Sequence, residues 1–290
     1  MEKANRVQIK YNSEYFSVKD TLECGQIFRF RPFEKGYLVF FEKSVAYCYN
    51  DGDYAVIECN VEDEQRLKNF FDLDRDYESI VRSATNSGYS VLNESARLGK
   101  GIRILNQSSE EALFSFIISQ NNNIPRIKNS IEKLCEIYGE KCDSEYGEYY
   151  SFPTAEKLAL AEDLTLKSAG LGYRVGYIKS VAKEIVNGFN LEELKSLPTE
   201  ELKKKLISLK GVGEKVADCV SLFGFHRSDS FPVDTWIEKV YHENFGGSLT
   251  DRKKITEYFV EKFQGNSGYF QQYLFYYKRS LEKQTKNTEK

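Results

Sequence analysis

The spacing of apolar residues changes along the chain. Between about residues 8 and 60 they recur every second position, as in Tyr37-Leu38-Val39-Phe40-Phe41, Val45-Ala46-Tyr47-Cys48-Tyr49 and Tyr54-Ala55-Val56-Ile57. That period places alternate side chains on one face of a strand. Glu34-Lys35-Gly36 and Asn50-Asp51-Gly52-Asp53 separate the runs, and Asp-Gly between apolar runs is a hairpin signal. The pattern predicts an antiparallel meander over roughly 8–60 and a helix over about 62–72. From about residue 76 the period becomes helical. Ser109-Glu110-Glu111 opens an apolar run, with the serine as N-cap and the acids in the first turn. Asn121-Asn122-Asn123 interrupts that run, and Pro125 restarts a helix with Ile127, Ile131, Leu134 and Cys135 on one stripe. Further helices are predicted at about 154–161, 174–187, 199–208, 213–224, 234–244, 251–263 and 268–283, with 284–290 frayed. The fold class is therefore α+β: an N-terminal antiparallel sheet domain over 1–95, followed by helical domains over 96–290.

Composition narrows this picture. Mean hydropathy is −0.53, and no run of about 18 apolar residues marks a membrane span. The start, Met1-Glu2-Lys3-Ala4-Asn5-Arg6, lacks the apolar core of a signal peptide, so a cytoplasmic protein is expected. Six cysteines form no CxxC pair and no metal-ligand spacing, and read as reduced thiols. Two histidines, His226 and His242, make a zinc site or a histidine triad a poor expectation. The net charge of −3 speaks against a nucleic-acid coat, but it is uneven. Residues 201–290 carry sixteen basic and twelve acidic side chains, net +4, so a polyanion could still bind there.

The chemistry concentrates in that third. Residues 202–219 read as helix, a Gly211-Val212-Gly213 turn, then helix. The glycines permit a tight turn and close approach by another backbone. Free N–H groups at the second helix's start can hold one phosphate, a contact that reads no sequence. Lys215 lies in that helix's first turn, where the macrodipole disfavours a cation and favours a nucleophilic amine. The plainer alternative is a surface lysine paired with Asp218 at i+3. Lys215 and Cys219 are i, i+4 and should face one space. Asp234, in Phe231-Pro232-Val233-Asp234-Thr235-Trp236, precedes an apolar-periodic helix. It reads either as a simple N-cap or as a carboxylate held to stabilise a developing cation.

Leu209-Lys210-Gly211-Val212-Gly213-Glu214-Lys215-Val216-Ala217-Asp218-Cys219 followed by Pro232-Val233-Asp234-Thr235-Trp236 resembles the helix-hairpin-helix/Gly-Pro-Asp superfamily of DNA glycosylases. Four further segments are similar to its 8-oxoguanine DNA glycosylase/abasic-site lyase branch. They are Cys24-Gly25-Gln26-Ile27-Phe28-Arg29, Ser119-Gln120-Asn121-Asn122-Asn123-Ile124-Pro125-Arg126-Ile127, Gly170-Leu171-Gly172-Tyr173-Arg174, and Gly268-Tyr269-Phe270-Gln271-Gln272-Tyr273-Leu274-Phe275.

The resemblance implies a base-excision repair enzyme acting on duplex DNA with 8-oxoguanine opposite cytosine, with a monomer as the default for an enzyme that clamps one lesion; the Lys/Asn/Ile/Tyr/Phe bias leans towards a bacterial source, where it would act at the nucleoid. It implies Lys215 as Schiff-base nucleophile and Asp234 as electrostatic partner. Gly25, Cys219, Gln271 and Phe275 would bind the extruded base, with the Gly25 carbonyl reading the hydrogen on N7. Asn121 would fill the vacated hole, Tyr173 would wedge beside it, and Arg126 and Arg174 would hold the orphaned cytosine. Gly211, Gly213 and Trp236 would contact phosphate. No redox cofactor or catalytic metal is implied; a structural monovalent cation on the carbonyls of Ile207, Leu209 and Val212 is. Trp236 and Lys278 stand where eukaryotic relatives carry a histidine and an acid, and no iron–sulfur cysteine cluster follows the core. An alkylbase glycosylase and a non-catalytic DNA-binding protein are the alternatives; the lysine opposes the first, and Lys215 together with Asp234 opposes the second. Phosphate contacts should be few, drawn at most from the hairpin amides, Arg126, Arg174 and the Lys203–Lys205 run.

Overall fold

The computed structural model describes residues 5–288, with side chains as far as Glu282. The chain opens with β1 (Arg6–Asn12), passes through helix α1 (Val18–Glu23) and returns as β2 (Phe30–Phe33), β3 (Gly36–Phe41), β4 (Ser44–Asp51) and β5 (Tyr54–Asn60). Helices α2 (Glu64–Phe70), α3 (Tyr77–Thr85), α4 (Ser90–Gly99), α5 (Ser109–Ser119) and α6 (Ile124–Tyr138) follow, then a hairpin of β6 (Lys141–Ser144) and β7 (Gly147–Tyr150). The remainder is helical: α7 (Ala155–Leu160), α8 (Asp163–Ser168), α9 (Val175–Val186), α10 (Leu191–Leu194), α11 (Thr199–Ile207), α12 (Glu214–Gly224), α13 (Thr235–Phe245), α14 (Arg252–Phe263) and α15 (Ser267–Thr288). The α+β class holds.

Two parts of the predicted meander differ. The sheet order is β1-β5-β4-β3-β2, so β1 pairs antiparallel with β5 at one edge instead of with its neighbour in sequence. The intervening α1 forms because Ser17 caps it through Asp20 N–H, and Val18, Thr21 and Leu22 bury one face at i, i+3, i+4 spacing. The helical stretch likewise contains an unpredicted hairpin, β6–β7. Its rings close the outer face of the sheet, with Tyr149 on Phe40 at 5.3 Å and Tyr146 on Phe33 at 5.4 Å. The inner face packs Val39, Phe41 and Ile57 against Leu22, Leu67 and Phe71. Both faces are thus dry, which explains why β3 reads as continuously apolar.

Smaller differences concern helix ends. Ser108, not Ser109, caps α5. Helix α15 continues through Gln284 to Thr288, past the predicted frayed point; Glu289 and Lys290 lie outside the described residues. All six thiols are free. Among the described residues, no helix is long and apolar enough to cross a membrane.

The sheet domain matters to function through one loop, residues 24–29. Gln26 is fully buried and donates to the carbonyls of Thr21 (2.9 Å) and Arg103 (2.7 Å), while its Oε1 accepts from Leu105 N–H (2.9 Å). From the other side, α15 grips the same turn: Gln272 Nε2 and Arg279 Nη1 both donate to the Cys24 carbonyl, at 3.3 and 3.2 Å. A buried amide satisfied on every side is costly to displace, so Gly25 is held rigidly where two domains meet.

Candidate active site

Five segments converge on a cleft: the 24–29 loop, α5, one face of α12, the stretch leading into α13 and one face of α15. Lys215 and Cys219 line it from α12, as their i, i+4 spacing requires. Lys215 is half-buried, with Nζ 5.7 Å from the Phe116 ring centroid. Among the described residues no carboxylate lies within ion-pair distance of it. The alternative partner, Asp218, turns the other way and pairs with Lys203 Nζ at 2.9 Å. Lys215 is therefore a pocket residue and not half of a surface pair. The same contact corrects the expected phosphate set: Lys203 is 8% exposed and engaged, leaving only Lys204 and Lys205 of that run facing solvent.

Asp234 is an N-cap and a cleft residue at once. Its Oδ1 caps α13 by accepting from Trp236 and Ile237 N–H, each at 3.0 Å, and its side chain also lines the cleft. Burial raises its carboxyl above the ordinary aspartate value, against the two amides and the Lys215 charge, which favour the anion. Asp234 is near enough to Lys215 to feel that charge, yet the two are beyond salt-bridge distance, and both line the cleft. Burial pushes the Cys219 thiol up to about 11, so it is neutral at pH 7 and offers a polarisable wall and not a thiolate.

On α15, Gln271 and Phe275 line the same cleft, one turn apart. Gln271 is 5% exposed; its Nε2 donates to the Pro232 carbonyl at 3.1 Å, and its Oε1 is buried with no hydrogen-bond partner. A buried acceptor left unpaired costs about 1–3 kcal/mol unless a ligand supplies the donor. Arg279 backs the Phe275 ring at 5.4 Å, leaving the ring's other side to the cleft. Gly25 has φ +99°, and a Cβ there would stand 3.0 Å from Arg279 Nη1 and 3.5 Å from the Phe275 ring. Its own carbonyl accepts no hydrogen bond among the described residues. Phe116, Phe223, Pro232 and Gln272 also line the cleft without having been picked out as site residues. Phe116 carries no local signal, because α5 is apolar all round.

The residues expected to meet DNA lie on the α5–α6 loop and the start of α6, the turn before α9, the hairpin and the start of α13. Asn121 has φ +47° and donates through Nδ2 to Tyr173 Oη at 3.3 Å; Tyr173 is 55% exposed. Arg126 is exposed, and its side chain has no partner among the described residues. Arg174 differs: it is 6% exposed and donates to the carbonyls of Gln120 (2.9 Å), Asn121 (3.1 Å) and Leu171 (3.3 Å). Its donors are thus spent on the loop that carries Asn121 and on Leu171. Gly211 has φ +88°, and a Cβ there would overlap the Tyr177 ring at 2.3 Å. Gly213, which caps α12, faces open space, so nothing inside the protein requires a glycine there. Trp236 is half-buried, with Lys239 Nζ 5.2 Å from its ring.

Comparison with known proteins agrees with this geometry. Residues 8–113 match the family model of the 8-oxoguanine DNA glycosylase N-terminal domain, and residues 114–264 that of HhH-GPD superfamily base excision DNA repair proteins. The N-glycosylase/DNA lyase of Saccharomyces cerevisiae is 38% identical over 159 residues, half of this chain and 42% of the yeast protein. The chain thus aligns with less than half of that relative's length. The Clostridium acetobutylicum 8-oxoguanine glycosylase/lyase, solved with duplex DNA containing cytosine opposite 8-oxoguanine, is 38% identical. It superposes with a TM-score of 0.91 over 97% of this chain and 98% of that one. A 3-methyladenine DNA glycosylase from Archaeoglobus fulgidus shares the fold at 21% identity and TM-score 0.72, covering 94% and 98% of the two chains. With the sheet domain, the hairpin lysine and the α15 pocket in one arrangement, the chain belongs to the HhH-GPD superfamily of base excision DNA repair proteins, as an N-glycosylase/DNA lyase of the 8-oxoguanine branch.

Proposed function

We propose that this chain extrudes 8-oxoguanine from duplex DNA into the Gly25–Gln271–Phe275 cleft and excises it through Lys215. The observation that carries the reading is the set of unsatisfied groups facing one cleft: the Gln271 Oε1 acceptor, the Gly25 carbonyl and an amine without a counter-ion. The base's N7–H suits the Gly25 carbonyl, and its Watson–Crick donors suit Gln271 Oε1. Phe275 and Cys219 hold its two faces.

Lys215 Nζ attacks C1′ as the glycosidic bond breaks, and the bonding pair leaves on the base. Asp234, whose anionic form accepts from two backbone amides, stabilises the positive sugar. Ring opening gives an imine between Lys215 and C1′; loss of a C2′ proton then expels the 3′ phosphate. Asn121 fills the vacated hole, Tyr173 wedges beside it, and Arg126 holds the opposite cytosine. Arg174 joins once the loop around Gln120 releases its donors. Phosphate binds the free amides at Gly213 and the start of α12, with the Trp236 indole N–H as a further donor. The Ile207 and Val212 carbonyls accept no hydrogen bond among the described residues, which suits a monovalent cation held with Leu209. The enzyme acts as a monomer on one lesion.

Borohydride trapping on a duplex with 8-oxoguanine opposite cytosine tests the chemistry. A covalent adduct is expected with the intact protein and none with Lys215→Gln. An equal adduct in that variant removes Lys215 from the role.

A further inference from the structure

The residues proposed to open the duplex and the hairpin proposed to grip its backbone are far apart in sequence. Here a single side chain joins them. Gln120 ends α5, immediately before Asn121. Its Nε2 donates to the Gly211 carbonyl in the hairpin turn at 2.9 Å, across 91 residues of chain. Its own carbonyl accepts from Arg174 Nε at 2.9 Å and from Tyr173 Oη at 3.4 Å. The Gly211–Val212 peptide plane is consequently pinned at both ends, because Val212 N–H donates to the Leu209 carbonyl at 3.1 Å.

A second path closes the circuit. The Tyr177 ring packs directly on the Gly211 Cα, and it meets the Tyr173 ring edge-on at 5.9 Å and 83°. Tyr173 in turn accepts from Asn121 Nδ2. Gly211, Gln120, Arg174, Tyr173 and Tyr177 therefore form one ring of contacts, and Asn121, in the left-handed conformation that asparagine tolerates better than most side chains, hangs from it.

We propose that Gln120 is a positioning residue that couples hairpin engagement of phosphate to insertion of Asn121. It touches neither substrate nor reacting atoms. A phosphate on the amides around Gly213 presses on the turn that Gln120 holds. Any shift of the Gly211 peptide is carried through the amide to the carbonyl that holds Arg174 and Tyr173. This rests on the assignment of Asn121 and Tyr173 to the hole and of the hairpin to phosphate.

The test uses the full chain with 2-aminopurine beside 8-oxoguanine in a duplex, following the fluorescence rise on base opening by stopped flow. Undamaged-duplex affinity and thermal unfolding are measured in parallel. Gln120→Glu keeps the shape and removes the donor; Gln120→Met keeps the length and removes all polarity, in case the carboxylate disturbs folding. Both should slow opening about tenfold, the order expected for one lost hydrogen bond, with undamaged-duplex affinity within about twofold of the parent. Gly213→Ala, which weakens the phosphate grip, should slow opening in the parent and add little in either Gln120 variant.

Opening at the parental rate in both variants overturns the proposal. So does full additivity with Gly213→Ala, or a parallel fall in unfolding temperature, undamaged binding and opening, which marks a purely structural residue. A parent chain that opens and excises nothing is a failure of the base-excision reading itself. A parent that excises normally alongside unimpaired Gln120 variants is a failure of this inference alone.

Discussion

At the scale of single residues, Asp234 joins a structural duty to a place in the cleft. Asp234 caps α13 and faces the reacting centre, and asparagine caps a helix as well as aspartate does. Asp234→Asn should therefore leave the unfolding temperature nearly unchanged while excision falls by orders of magnitude, measured by melting and single-turnover assays on one preparation. The pH dependence has a definite sign. Burial raises this carboxyl, so as pH falls it takes up a proton sooner than a free aspartate and loses the charge proposed to stabilise the sugar cation. Single-turnover excision should show an acid limb displaced upward from the ordinary aspartate range. For Gln271, alanine removes the unpaired acceptor and should weaken capture of the damaged base by about tenfold without weakening undamaged-duplex binding. Equal loss on both duplexes would take Gln271 out of the base pocket. Lys215 and Cys219 were legible from i, i+4 spacing, and Asp234 from its place before a periodic helix. Gly25 had no such signal apart from family resemblance, because its φ of +99° and the contacts around it come from α15, some 250 residues away.

At the scale of elements, the two hairpin glycines separate what sequence cannot. Both fit a tight turn, yet their surroundings differ. Gly211→Ala forces a Cβ into the Tyr177 ring at a left-handed φ and should destabilise the fold by about 1–3 kcal/mol. Gly213→Ala meets open space at φ −95°, so folding should persist while duplex affinity falls. Melting and binding curves on the pair decide it. The helices of the hairpin are joined beneath by Lys203 and Asp218, 8% and 2% exposed. Removing one partner strands the other: Lys203→Met should cost about 3 kcal/mol at pH 8. Less should be lost at lower pH, because burial already raises the Asp218 carboxyl with the lysine beside it, and more so without it. In the variant the carboxyl takes up a proton as pH falls towards about 5, and its unpaired charge fades. Denaturant melts at the two pH values measure the difference. A lysine run in sequence looks like a uniform phosphate grip; helical geometry buries its first member and exposes the next two.

At the scale of the whole molecule, the cationic surface is sparser than the +4 of the last third suggests. Lys203 is buried, Arg174 is spent on loop carbonyls, and Arg252 and Lys253 face Glu238 and Glu214 at 2.8 and 3.6 Å. Undamaged-duplex affinity should accordingly fall with a shallow salt slope, and a slope equivalent to about eight neutralised phosphates would contradict it. Titrations between 50 and 200 mM salt, roughly the range in which such slopes are read, settle the point.

The amino-acid sequence by itself determined the local elements and the reactive spacing: strands with Asp-Gly turns, the helix-turn-helix around Gly211 to Gly213, Lys215 over Cys219, and Asp234 at a helix start. Such features depend on backbone period, capping and turn chemistry, which act within a few residues. Only the tertiary structure decided the rest. It moved β1 to β5, turned residues 18–23 into a helix, and laid β6–β7 over the sheet. It also paired Asp218 with Lys203 rather than Lys215, and hung Asn121 from the hairpin through Gln120. Each of these depends on contacts between distant segments, where burial and unpaired polar groups, and not local preference, set the free energy.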